Sequence, residues 1–156
     1  MAKPLQEGDK APLFALPGDG GDTVSLNDFA GRNLVLYFYP KDDTSGCTRE
    51  ATDFSALASA FAAAATGIVG LSADPVASHV KFKKKHGLTV TLASDETKQT
   101  LSDYGVWVEK SMYGRKYMGI ERTTFLIDKA GRIARIWRKV KVPNHASEVL
   151  EAARGL

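Results

Sequence analysis

Whatever chemistry this chain performs has to pass through one sulfur and a few polar neighbours. Cys47 is the only cysteine in the sequence. It sits in the run Pro40-Lys41-Asp42-Asp43-Thr44-Ser45-Gly46-Cys47, between an apolar stretch and a helical pattern. A lone cysteine is most often a small buried hydrophobe. A place at a strand-to-helix turn, beside hydroxyls and a proline, points instead to a reactive thiol. With Thr44 or Ser45 as N-cap, Cys47 falls in the first helical turn. Backbone N–H groups there lack intrahelical acceptors, and the helix dipole favours negative charge. Such a thiol is expected to ionise more readily than a free one, and the thiolate is the nucleophile.

The elements that must hold this sulfur can be read around it. Leu34 to Tyr39 is a continuous apolar run that suits a strand buried on both faces, and Pro40 stops it. Apolar residues at Ala51, Phe54, Leu57, Ala58, Phe61, Ala62 and Ala65 then predict one helix ending near Thr66-Gly67. Ile68 to Ser72 reads as a second buried strand, and a helix follows from about Pro75 to His86, stopped by Gly87. Thr89 to Leu92 is expected to be a short strand, and Asp95 to Tyr104 a helix. Val106 to Ile120 reads as a long irregular loop, a kind often functional. Thr123–Ile127 and 132–142 read as a hairpin about a tight turn, and 143–153 as a closing helix. Upstream, a loose lead-in to about Asp9 precedes a hairpin of Lys10–Pro17 with Thr23–Leu26, and one helical turn ending at Gly31. The order argues for an α/β domain with a mixed sheet covered by helices, one domain over residues 1–156. Periodicity alone leaves several α/β folds open.

Four stretches resemble a known family. The pattern Pro40-x-x-x-Thr44-x-x-Cys47 is similar to the active-site signature of the peroxiredoxins, and Tyr37 to Phe54 resembles the bacterioferritin comigratory protein, or peroxiredoxin Q, branch. Ser111–Gly114, Gly119–Asp128 and Trp137–Val142 resemble that branch in the same order. The resemblance implies a thioredoxin-like fold with a mixed central sheet flanked by helices and an N-terminal hairpin extension. It also implies reduction of hydrogen peroxide and organic hydroperoxides through a Cys47 sulfenic acid.

That reaction needs an ionised sulfur, donors that hold the peroxide, and positive charge for the departing oxygen. Cys47 supplies the first. The Thr44 hydroxyl can donate to sulfur or peroxide, and Pro40 can shield the sulfur from water. The resemblance points to Arg122 as the cation. The residues alone place it at a strand entrance and leave a solvated arginine, or a partner for Glu121, equally open. The family likewise implies Glu50 as the carboxylate that orients the guanidinium, against a plain first-turn charge. Many members carry a second, resolving cysteine at the positions of Thr52 or Lys83. Here there is none, so the reductant has to be an external thiol: glutathione with or without glutaredoxin, thioredoxin, or another small thiol.

Other functions fit less well. A thioredoxin-type exchanger needs a second cysteine in place of Thr44, although a monothiol disulfide or glutathione exchanger stays open. Lys81, Lys83, Lys84 and Lys85, with Arg132, Arg135, Arg138, Lys139 and Lys141, suggest a nucleic-acid surface, but solvated faces explain them better. The net charge of +3 does not by itself argue for nucleic acid. No cofactor or metal is expected: His79 and His86 stand two turns apart, His145 is isolated, and all three, like Asp42 and Asp43, read as surface or turn residues. With no apolar membrane span or leader, a cytoplasmic protein is expected; it is expected to act as a monomer.

Overall fold

β-branched and aromatic residues in an unbroken row make the middle of the molecule. In the computed structural model, which describes residues 4–156, strand β3 (Asn33–Phe38) has all six residues buried. The N-terminal hairpin β1 (Ala15–Pro17) and β2 (Thr23–Ser25) precedes it, followed by a 3₁₀ turn at Leu26–Phe29. β4 (Thr66–Ser72) and β5 (Thr91–Ser94) extend the sheet in parallel on one side of β3. β8 (Thr123–Ile127) and β9 (Ile133–Trp137) extend it antiparallel on the other, giving the order β5-β4-β3-β8-β9.

Because side chains alternate along a strand, β3 feeds two cores. Val35, Tyr37 and Tyr39 face Phe54, Phe61, Phe82 and Val149, whereas Leu34, Leu36 and Phe38 face Leu71, Leu101, Tyr104 and Phe125. Each large side chain buried this way contributes roughly 1.5–3 kcal/mol. Helices α1 (Ser45–Ala56), α2 (Ala58–Ala63), α3 (Val76–His86) and α5 (His145–Arg154) supply the first core, and the short α4 (Gln99–Asp103) the second. This is the mixed, helix-flanked sheet with an N-terminal hairpin expected from the sequence.

Several boundaries differ, each for a local reason. The helix predicted to run to Thr66 breaks at Leu57, which leaves helical geometry at φ −101°, ψ 6°. Thr89 causes the break: its N–H donates to Ser55 Oγ at 3.0 Å and its hydroxyl to the Ser55 carbonyl at 3.3 Å, drawing that carbonyl off the ladder. Thr89 is thereby unavailable to β5, which starts two residues late. The helix predicted from Asp95 starts only at Gln99, because the Asp95 carboxylate accepts the Leu101 N–H at 2.8 Å. The strand predicted to run to Val142 stops at Trp137, short of Lys139 in the left-handed region. The lead-in is tied to β9's edge by Gly8 N–H to the Ile133 carbonyl, 2.7 Å, while its first three residues lie outside the described residues.

The largest correction concerns Val106–Ile120. It is a regular hairpin, β6 (Trp107–Met112) with β7 (Arg115–Ile120), turning at Tyr113 and Gly114 with φ of 52° and 78°. Positive φ at both central residues is the geometry that matches strand twist. Both faces are largely exposed, so no period-two pattern marks the strands.

Candidate active site

Cys47 is the third residue of α1, with Thr44 as N-cap, and it stands directly past the end of β3. The cysteine is 1% exposed. Arg122, immediately before β8, reaches across so that Nη2 donates to Cys47 Sγ at 3.3 Å and Nη1 to Glu50 Oε1 at 2.6 Å. β3 and β8 are adjacent in the sheet, which brings residues 75 positions apart in sequence to one end of it. The Arg122 side chain is 17% exposed and Glu50 is buried, so the guanidinium is the partly open neighbour of a closed sulfur.

The two members of the ion pair respond differently to burial. For Arg122, burial works to lower the pKa, but Glu50 and Cys47 outweigh it and the guanidinium is held more firmly protonated than usual. For Glu50, burial wins over Arg122 and pushes the carboxyl up to about 7. Its second oxygen, Oε2, has no hydrogen-bond partner among the described residues. One turn of helix thus carries a sulfur and a carboxyl that share one guanidinium.

Of the other expected site residues, Thr44 lies at the mouth, exposed, with its hydroxyl donating to the Lys41 carbonyl at 2.9 Å and not to the sulfur. Pro40 is exposed at the end of the apolar run. Three further residues belong to the site and were not singled out from sequence. At Gly46 a Cβ would lie 3.2 Å from Arg122 Nη2, so the missing side chain lets the guanidinium settle over the helix. Tyr37, fully buried with a hydroxyl that has no partner among the described residues, is raised well above its ordinary pKa by burial and then by Glu50 and Cys47. Gly70 makes its room: a Cβ there would meet the phenol at 2.6 Å. Lys110 on β6 is half-buried and lowered by desolvation and by Arg122, against pulls from Glu121 and Cys47. Only Gly46 carried a signal in the sequence, as a glycine where a helix begins.

The histidines and acids read as surface residues are elsewhere than expected. His79 and Asp42 are buried and bonded to each other at 2.7 Å, and His145 is buried against Thr124 at 2.8 Å, lowered by burial to about 4. Asp43 and His86 do meet near the surface, at 2.7 Å. Asp42, Asp74 and His79 converge closely enough to hold an ion, but each already hydrogen-bonds within the group or to its neighbours. Two lysines of the basic α3 are paired, Lys83 with Asp19 at 2.8 Å and Lys85 with Asp43 at 2.7 Å, as expected of a solvated face.

The AhpC/TSA family model matches residues 7–136. Peroxiredoxin Bcp of Bacillus subtilis is 47% identical over 152 residues, 97% of this chain and 97% of the relative.

The chain belongs to the AhpC/TSA family.

Within it the match is to the Bcp/peroxiredoxin Q branch. Peroxiredoxin Bcp of Escherichia coli is 41% identical over 147 residues, 94% of each chain. Peroxiredoxin Q of Xylella fastidiosa superposes with a TM-score of 0.93 at 38% identity, covering 99% of this chain and 98% of that one. A Xanthomonas campestris bacterioferritin comigratory protein, solved as trapped-intermediate and ligand complexes concerned with alkyl peroxide reduction, superposes with a TM-score of 0.87 at 44% identity, covering 91% and 90%. This peroxiredoxin is accordingly an enzyme, a thiol-dependent peroxidase with a thioredoxin-like fold. A monothiol exchanger is not favoured. Among the described residues no helix is long and apolar enough to cross a membrane.

Proposed function

We propose that Cys47 is the nucleophile of a one-cysteine peroxidase that takes hydrogen peroxide and small organic hydroperoxides. The observation that carries this reading is the 3.3 Å approach of Arg122 Nη2 to Sγ within the first turn of α1. The attacking form is the thiolate. An S–O bond forms to the terminal peroxide oxygen as the O–O bond breaks, and the departing alkoxide or hydroxide takes a proton. Sulfur loses two electrons to the peroxide and becomes a sulfenic acid. Arg122 offers its planar fork to sulfur and to the oxygens between which charge moves. Glu50 orients that fork from behind. Thr44, its proton engaged by the Lys41 carbonyl, keeps acceptor capacity for the peroxide O–H, and Pro40 sets where the loop leaves the sheet.

The sequence holds no second thiol. An external thiol therefore condenses with the sulfenic acid, releasing water and leaving a mixed disulfide, which a second thiol resolves. Glutathione with glutaredoxin, and thioredoxin, are the candidate donors. Cys47 is closed over, so the first turn of α1 has to fray for this step. The same reading takes one chain as a single catalytic domain, a monomer in the reducing cytosol, where a lone thiol persists. No cofactor, nucleic acid or membrane is involved. For the organic substrates, support comes from the alkyl peroxide work on the Xanthomonas relative.

The test is turnover of hydrogen peroxide with glutathione–glutaredoxin and with thioredoxin, supplied separately, with Cys47→Ser as blank. Trapping of sulfenic acid at residue 47 by a dione reagent runs alongside. Turnover that survives in Cys47→Ser, or a wild-type protein that never yields the adduct, would overturn the reading.

A further inference from the structure

Two turns of chain before the sulfur, the loop from β3 to α1 is fastened at a single residue. Asp42 Oδ1 accepts the Tyr39 hydroxyl at 2.6 Å, and Oδ2 accepts Ser78 Oγ at 2.7 Å and meets His79 Nδ1 at 2.7 Å. The Asp42 N–H donates to Asp74 Oδ2 at 2.8 Å, and that oxygen is itself held by Ser72 Oγ at 2.7 Å. His79 is 0% exposed, and its other nitrogen, Nε2, lies 2.9 Å from the Ala93 carbonyl on β5.

Donor counting determines the state of this ring. A carbonyl only accepts, so Nε2 carries a proton. Burial works to raise the Asp42 carboxyl, but the hydrogen bonds from His79 and Tyr39 outweigh it and hold it below its usual range. At the other end of the ring, Nδ1 faces Asp42 Oδ2. The ring thus bridges the loop and the sheet, with both nitrogens engaged and neither free for a ligand.

From Asp42 onward the fastening thins. Asp43 is tied only to exposed Lys85 and the half-exposed His86, and the turn itself by Thr44 Oγ1 to the Lys41 carbonyl and Thr48 N–H to the Thr44 carbonyl at 2.8 Å. We propose that His79 is a positioning residue for the peroxide half of the cycle: by pinning Asp42 to the sheet it confines opening to the Thr44–Cys47 turn and returns Sγ to its place under Arg122. This rests on Cys47 being the nucleophile. Peroxide attack needs the closed turn and thiol attack needs the open one, so loosening the pin affects the two half-reactions unequally.

The experiment measures each half-reaction in single turnover for wild type and His79→Gln. The expected result is a fall of about tenfold in the rate constant for oxidation by hydroperoxide, the scale of one lost buried hydrogen bond. The rate constant for thiol attack on the sulfenic acid stays within about twofold or rises. A role in global stability alone would move both halves together, or neither well below the melting temperature, and that result overturns the proposal. If His79→Gln does not fold, Ser78→Ala removes one donor to Asp42 and is expected to give the same imbalance at about threefold. Two readouts are independent of Cys47 chemistry. Ring ¹⁵N spectra of wild type must show both His79 nitrogens engaged in hydrogen bonds, and hydrogen exchange at the Asp42 amide must speed up in the variant. A bare ring nitrogen, or unchanged exchange, sinks the pin even if Cys47 is the nucleophile. Absence of sulfenic acid in wild type sinks the nucleophile reading while these two measurements still decide the pin.

Discussion

Two buried acid–base pairs flank the same loop, and they are built in opposite ways. Asp42 has each carboxylate oxygen occupied, by a tyrosine, a serine and a histidine, and its carboxyl is held below its usual range. Glu50 has one oxygen bonded and one bare, and burial lifts it to about 7. Asp42's partner is sealed, whereas Glu50's partner is partly open and also serves the sulfur. A satisfied pair holds the chain still. An under-satisfied pair keeps a cation only half committed, and a guanidinium in that condition can follow charge as it moves from sulfur to oxygen.

Removing the cations and acids in turn tests the contrast. The largest effect belongs to Arg122→Met: kcat/KM for hydrogen peroxide is expected to fall about a thousandfold, the scale of a lost charge-stabilising donor. Next comes Asp42→Asn, which leaves His79 without its anion and is expected to cost about 3 kcal/mol in chemical denaturation. Glu50→Gln should behave differently with pH. The native state binds the Glu50 proton more tightly than the unfolded chain does, so that proton's stabilisation is complete below about pH 4.5 and lost as pH rises through about 7. Stability of Glu50→Gln relative to wild type is therefore expected to rise across that window, by at most about 3 kcal/mol. For Asp42 the sign reverses, because stability is lost as pH falls below the ordinary carboxylate value of 3.8. His145 adds to the acid side: it is neutral when folded, and its contribution is complete above pH 6.5 and lost as pH falls through about 4. Melting curves of wild type, Glu50→Gln and His145→Asn from acid to neutral pH separate the three. The smallest effect is Gly46→Ala. A methyl 3.2 Å from Nη2 displaces the fork by a few tenths of an ångström and is expected to lower kcat/KM several-fold without changing stability by more than about 1 kcal/mol.

The part of this site that follows from local chemistry could be read in the sequence. The run Leu34–Tyr39, Pro40 and the helical spacing after Gly46 placed Cys47 at a strand-to-helix turn. Arg122 was a different matter: its own neighbours left it ambiguous, and only the family resemblance selected it, because its contact with the sulfur, 75 residues away in the chain, depends on β3 pairing with β8. The same limit hid Lys110, Tyr37 and the Asp42–His79 bond. Their partners come from other elements, and nothing in local periodicity reports that. The β6–β7 hairpin escaped for another reason. Tyr113 at its tip is 99% exposed and neither strand has a clear dry face, so there was no alternation to read. The break at Leu57 was hidden by good helix formers on both sides and is imposed by Thr89 from a distance.

That break at Leu57 gives the reactive helix a firewall. An untwisting that starts at Thr44 meets the Thr89 clamp on Ser55 in the last turn of α1, and beyond Ala56 the hydrogen-bond ladder is already interrupted. In the proposed cycle the last turn of α1 is therefore a template against which the first can rewind after each encounter with a reductant, and α2 is spared the melting of the active end.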